Sequence, residues 1–428
     1  MIRIMRYGEI PDEEIFFRGE IKRDVAPAVE EIIRTVRQRG DAALLAYAQR
    51  FDGGAPERLE VTAEEMAAAM RQVDPALIAV MEEAARNIRA YHSRQVRPSF
   101  IISENEGIVL GQKVTPIEKV GVYVPGGTAP LSSTVLMDVI PAKLAGCSQV
   151  VMATPARGGA VDPTVLAAAH IAGVDRVFKV GGAQAIAALA YGTETIPQVD
   201  KIVGPGNAYV AEAKRQVYGQ VSIDMIAGPS EILIVADGRS DARCLAADML
   251  SQAEHDRVAA AVLVTDSEGL ARQTAQEIEK QLASLPRRDI ARASIDGFGK
   301  IIVCDSVAQA IDIANRIAPE HLELCLDQPF DYLDRVHNAG SVFLGRSCPE
   351  ALGDYFSGPN HTLPTMGTAR FSSPLSVDDF VKKTQFSYYT QEALNRAANK
   401  VALFARAEGL EAHARSALSR LAEKEGAE

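Results

Sequence analysis

Short runs rich in β-forming residues recur roughly every 25–30 residues from position 119 onward, the length of one strand–helix unit. The first series lies at 119–124, 149–153, 176–180, 201–203 and 231–236, and its first four runs are each followed by a helical pattern, as at 162–172 and 207–218. Parallel neighbours need a crossover of a dozen or more residues, so this alternation predicts parallel sheets covered by helices. A second series at 262–265, 300–304, 322–326 and 341–344 repeats it. The sequence therefore reads as α/β, in two layers joined near residue 237. Residues 1–115 read mainly as helix, with Thr62-Ala63-Glu64-Glu65 as a capping box ahead of an alanine-rich stretch at 66–91. The tail from about 381 reads as helical again, broken at Gly409.

At 428 residues the chain has material for about two to three domains. No apolar run approaches the ~18 residues of a membrane span, and Met1-Ile2-Arg3-Ile4-Met5-Arg6 lacks an apolar signal region. A cytoplasmic protein without a membrane partner is expected. The five cysteines form no Cys-x-x-Cys pair and are odd in number, which fits reduced, mostly buried thiols. A net charge of −11 argues against a nucleic-acid partner and is compatible with a small cationic substrate.

In open α/β sheets, ligands sit beyond the carboxyl ends of the strands. Three glycine turns fall at such places: Val124-Pro125-Gly126-Gly127, Val180-Gly181-Gly182-Ala183-Gln184 and Val203-Gly204-Pro205-Gly206-Asn207. Glycine lets a backbone approach a ligand closely, and the next helix N-terminus favours phosphate. Each turn fails the third position of G-x-G-x-x-G. Locally, a nucleotide site and simple tight connections fit them equally well.

Polar residues in other turns carry the remaining chemistry. Gln252 and His255, in Ser251-Gln252-Ala253-Glu254-His255, end a helical pattern and share a face, so an amide oxygen and an imidazole could meet one cation. A solvated helix end is the plainer local alternative. Pro319 ends another helix before Glu320-His321, which could act as an acid–base pair or be an ordinary polar turn. Asp354 and His361 lie in a long stretch, 348–376, read as irregular and functional by its length. His413 borders the apolar stripe Leu410, Ala414, Ala417 and Leu421 of the last helix, where a packed histidine is the commoner case. His92, His170 and His337 are read as structural.

The series GVYVPGG, KVGGAQAIAALAYGT, KIVGPGNAYVAEAKRQV, AGPSEILIVAD, SQAEHD, APEHLEL, GDYFSGPNHTLPT and EGLEAH, in order between about 115 and 413, closely resembles the histidinol dehydrogenase family. The resemblance implies NAD-dependent, zinc-containing oxidation of L-histidinol to L-histidine through the aldehyde. It implies one zinc per subunit, and a homodimer of Rossmann-like α/β domains whose C-terminal tail reaches the partner's active site. The division then becomes a helical region at 1–115 and an α/β domain at 116–236 with NAD-binding turns. An α/β domain at 237–380 with metal and acid–base residues follows, then a helical tail at 381–428. By the resemblance, Gln252, His255, Asp354 and His413 are zinc ligands, Glu320 and His321 the acid–base pair, and Tyr123, Gln184 and Asn207 the NAD contacts. Ser230, Gln252, His255, His321, Asp354, Glu408 and His413 surround the substrate, with His361 nearby and without an assigned role. Three rivals stand beside this reading: a zinc hydrolase with structural glycine turns, an aldehyde dehydrogenase with Cys147 or Cys325 as nucleophile, and a non-catalytic metal- or nucleotide-binding protein.

Overall fold

The computed structural model describes residues 2–17, 25–126 and 130–421. Two compact units divide the chain: Met1–Gln95 with Ile117–Phe380, and Val96–Pro116 with Val381–Glu428.

The first unit holds two all-parallel sheets. One runs in the order Arg176–Lys179, Gln149–Thr154, Lys119–Tyr123, Lys201–Val203, Ser222–Ile223. Its strands are buried on both faces because successive side chains alternate sides. Val120, Val122, Val150 and Met152 join helix residues such as Val135 and Leu166 on one side. Val151, Ala153, Phe178 and Ile202 meet Ile32, Leu44 and Ile186 on the other. The second sheet runs Arg3–Arg6, Lys300–Val303, Ala260–Thr265, Glu231–Ala236, His321–Cys325, Ser341–Leu344, again all parallel. The same alternation divides its core: Ile232, Ile234, Leu263 and Ile301 face one helix layer, and Leu233, Val235, Val264 and Leu324 the other. Numbered within each sheet by chain order, and apart from the N-terminal edge strand, both follow the order 3-2-1-4-5, which is Rossmann-like.

The nine expected strands all form within one or two residues of their expected limits. Strand Glu231–Ala236, however, is no close to the first series: it is central to the second sheet, in register with Ala260–Thr265 and His321–Cys325. The junction expected at 237 therefore falls before 231. All six of its residues are buried, so its apolar run would suit either sheet, and only non-local pairing assigns it. The N-terminal stretch contributes Arg3–Arg6 to a sheet edge. Its capping box forms with both bonds, but the run at 66–91 splits into helices Ala63–Gln72 and Pro75–His92. Pro75 forces Asp74 out of helical geometry, and Asp74 then caps the second helix.

The second unit is an antiparallel sheet, Val381–Tyr389 paired with Ile108–Pro116 and that in turn with Phe100–Ile102, followed by helices Gln391–Ala407 and Glu411–Leu418. The first nine residues of the tail are thus strand rather than helix. Nearly every residue of that strand is exposed, so no one-sided apolar period marks it in the sequence. Gly409, at φ 77°, makes the break between the helices, and the Leu410 N–H returns to the Ala405 carbonyl at 2.8 Å. Ala402, Ala405 and Ala414 form the small core of this unit. Among the described residues, no helix is long and apolar enough to cross a membrane.

Candidate active site

The glycine turns sit at the carboxyl ends of the first sheet. Tyr123 ends the central strand, Gln184 lies in helix Gly182–Tyr191, and Asn207 caps helix Ala208–Val217 by accepting from the Tyr209 and Val210 N–H groups at 3.0 and 3.2 Å. All three line one cleft of about 890 Å³, with Gly126, Pro155 and Gly182. The Tyr123 hydroxyl oxygen accepts from the Gly182 N–H at 3.0 Å. Burial pushes this phenol up to about 12, so it stays neutral and keeps a proton to donate. Gly127 lies outside the described residues.

A second cleft lies at the opposite polarity of the second sheet. Ser230 precedes strand Glu231–Ala236, and Glu320 and His321 stand at the start of strand His321–Cys325, so the pair sits at amino rather than carboxyl ends. His321 is the first strand residue rather than part of the turn. It follows Ala318, held at φ 51°, the left-handed residue that ends helix Val307–Ile317. Ser230, Gln252, His255, Glu320, His321, Asp354 and His361 all line this cleft, together with Gly204 and Pro205 from the first sheet. Gln252 is in the last turn of helix Ala242–Ala253, and His255 follows just beyond, as the spacing predicts.

The interior of this cleft is tightly connected. His321 Nδ1 lies 3.0 Å from both the Glu231 carbonyl and Gln252 Nε2. Its Nε2 is 3.6 Å from Asp354 Oδ1, and Glu320 Oε2 is 3.6 Å from Nδ1. Glu320 is itself fixed by the Glu231 N–H at 2.8 Å. Burial disfavours the imidazolium, but the Glu320 and Asp354 carboxylates outweigh it and hold His321 well above its ordinary range. Burial opposes charge on Asp354 too. The neighbouring His321 and His361 prevail and keep that carboxyl well below the usual range. His361 Nδ1 is 3.0 Å from the Asp354 carbonyl and its Nε2 is 3.2 Å from Thr134 Oγ1, so it braces the Asp354 backbone.

Asp354 is not in irregular chain: it belongs to helix Glu350–Tyr355, which also brings in a residue the sequence reading overlooked. Glu350, four positions earlier, lies on the same face, and ligand atoms of His321, Glu350 and Asp354 fall within 4.8 Å of one another. The i, i+4 carboxylate pair was a readable signal. Burial, with Asp354 beside it, pushes Glu350 up to about 8. Among the described residues, Gln252 Oε1, His321 Nε2 and Glu350 Oε1 are buried without a hydrogen-bond partner. Leaving such atoms unmet costs about 1–3 kcal/mol each. Nitrogen and oxygen donors in this setting fit a divalent cation, and they include two of the expected ligands, Gln252 and Asp354.

Glu408 and His413 belong to the second unit, Glu408 as the C-cap of helix Gln391–Ala407 and His413 in helix Glu411–Leu418. Both are exposed, so His413 is not the packed histidine that its stripe suggests. The thiols are poorly suited to nucleophilic work. Burial, with Glu323 and Asp248 beside it, drives Cys325 far above its ordinary range, and burial pushes Cys147 up to about 11.

The family model "Histidinol dehydrogenase" matches residues 18–421. Histidinol dehydrogenase of Syntrophotalea carbinolica is 54% identical over 410 residues, covering 95% of each chain. That of Bacillus cereus is 53% identical over 404 residues, covering 94% of each. The crystal structure of histidinol dehydrogenase from Elizabethkingia anophelis superposes with a TM-score of 0.93 at 39% identity, covering 98% of each chain.

Proposed function

This chain belongs to the histidinol dehydrogenase family, and from that membership we propose how its own residues carry histidinol through the aldehyde to L-histidine. The observation that bears most weight is the meeting of Ser230, Gln252, His255, Glu320, His321 and Asp354 in one cleft whose buried Gln252 Oε1 and His321 Nε2 find no hydrogen-bond partner among the described residues. A zinc ion, one per subunit, held by Gln252, His255, Asp354 and His413, would supply a positive centre that orients the substrate's imidazole and amine nitrogens. NAD, held by Tyr123, Gln184 and Asn207, supplies the hydride acceptor.

His321 Nδ1 is held between the Glu231 carbonyl and the Gln252 amide, so Nε2 is the nitrogen left to act as the base in this reading. A cation held by Asp354 would offset one of the two carboxylates beside the ring, and His321 would accept the hydroxyl proton of the substrate. Glu320, anchored by the Glu231 amide, activates water to form the aldehyde hydrate, and His321 serves again as base in the second oxidation. Ser230 lines the same cleft, and Glu408 supplies a carboxylate for the substrate ammonium. A homodimer in the cytoplasm, with the tail of each subunit completing the other's site, belongs to this reading. Its support is the exposed Phe386, Tyr388, Leu403 and Phe404 on the second unit.

The test is stoichiometry: each histidinol consumed should yield two NADH, read by absorbance, with little free aldehyde. One NADH with accumulating aldehyde would overturn the two-step reading, and no NADH at all would favour a hydrolase. Cys147→Ala and Cys325→Ala should both keep wild-type turnover in both steps. Loss of the second step alone in either variant would restore the thiol nucleophile.

A further inference from the structure

Two buried charges close on the turn that lies between the clefts. Lys214, in helix Ala208–Val217, and Asp224, just past strand Ser222–Ile223, have side chains only 2% and 1% exposed and form an ion pair. Asp224 Oδ2 accepts from the Gly204 N–H at 2.8 Å, and Oδ1 from the Met225 N–H at 2.6 Å. Lys214 Nζ donates to the Gly204 carbonyl at 3.0 Å. One residue is thus gripped from both sides, its N–H by the anion and its carbonyl by the cation. Only glycine fits there: its φ is 114°, and a Cβ would collide with the Tyr123 carbonyl oxygen, so the turn passes close against the end of the central strand.

Burying two full charges is a poor way to gain stability, since a well-packed apolar pair often does as well. What the charges hold explains them better. Gly204 and Pro205 line the cleft of His321, while Asn207, at the other end of the same turn, lines the cleft of Tyr123 and Gln184. Asp138, fully buried with Thr362 Oγ1 donating to it at 2.7 Å, also faces the pair. Burial pushes it up to about 8, so near neutral pH it adds no second full anion and leaves Lys214 and Asp224 matched one to one.

We infer that Lys214 and Asp224 are positioning residues for hydride transfer: by fixing Gly204 they set the wall shared by the dinucleotide and substrate clefts. The inference rests on the proposed occupants of those clefts. Hydride transfer is sensitive to small misplacements, and a shift of about 1 Å in a reacting geometry costs about a hundredfold.

Removing both charges together avoids stranding either one, so the double variant Lys214→Met, Asp224→Asn is the test. Its kcat should fall about ten- to a hundredfold, while KM for histidinol and for NAD each stay within about threefold. The isotope effect with histidinol deuterated at the hydroxymethyl carbon should rise, because hydride transfer becomes slower relative to other steps. A variant with a wild-type thermal midpoint and a kcat within about twofold of wild type would overturn the inference. So would a loss confined to KM for histidinol, which would make Asp224 a direct substrate contact. Should the double variant not fold, Lys214→Arg, which keeps the charge of the pair but changes the geometry of the contact with the Gly204 carbonyl, is judged by the same criteria. Wild-type enzyme run alongside separates the failures: if it does not reduce NAD with histidinol, the assignment of the clefts is wrong; if it does and the variants match it, only the clamp is wrong.

Discussion

Replacing His321 by Asn should lower turnover of histidinol by about 10²–10⁴-fold, the usual contribution of a positioned base, with zinc content unchanged. The expectation follows from the ring's surroundings. Nδ1 is held between the Glu231 carbonyl and the Gln252 amide, and Nε2, without a hydrogen-bond partner among the described residues, is the nitrogen left to take a proton once Asp354 no longer holds the ring charged. An asparagine can keep a polar contact with Glu231 or Gln252 but cannot accept that proton. NADH formation and metal analysis on the same preparation check both halves of the claim. Zinc loss matching the activity loss would instead make His321 a ligand, a role that its grouping with Glu350 and Asp354 would then explain.

Much of this arrangement was legible in the sequence, and the failures share a cause. Local periodicity located nine of the eleven described parallel strands, since each of these is an apolar run flanked by turn residues, and it left out the edge strands Arg3–Arg6 and Ser222–Ile223. Spacing correctly put Gln252 and His255 at one helix end and Pro319 at the end of another, but it put the Glu320-His321 pair in a turn, whereas the strand already begins at His321. What periodicity cannot carry is pairing between distant segments. Strand Glu231–Ala236 went to the wrong sheet because its buried sequence suits either, and Val381–Tyr389 was read as helix because a mostly exposed strand has no apolar face to display. The polarity of the site was hidden for the same reason. Glycine turns mark the carboxyl ends of the first sheet, but nothing local says that the second sheet presents the amino ends of Glu231–Ala236 and His321–Cys325 to the same region. Glu350 was a different kind of miss: once Asp354 was singled out, a carboxylate four residues earlier needed only the assumption of one helical turn.

An Asp354→Ala protein and a His413→Ala protein, each inactive alone, should recover activity when their subunits are mixed and reassembled. The reasoning begins with chain position. Gln252, His255 and Asp354 come from the first unit, while His413 and Glu408 come from a second unit that exposes Phe386, Tyr388, Leu403 and Phe404. Apolar surface of that kind gains by burial, and in a two-fold dimer the same patch serves both subunits. His413 is exposed on its helix, available to a site on another chain. If it completes the partner's metal site, a mixed dimer places both defects in one site and neither in the other. Random pairing makes about half the dimers mixed, each with one of its two sites intact, so recovery should approach about a quarter of wild type. Subunit exchange can be verified independently with differently tagged chains. Absence of recovery despite proven exchange would mean that each chain supplies its own His413, and the exposed surface of the second unit would then need another occupant.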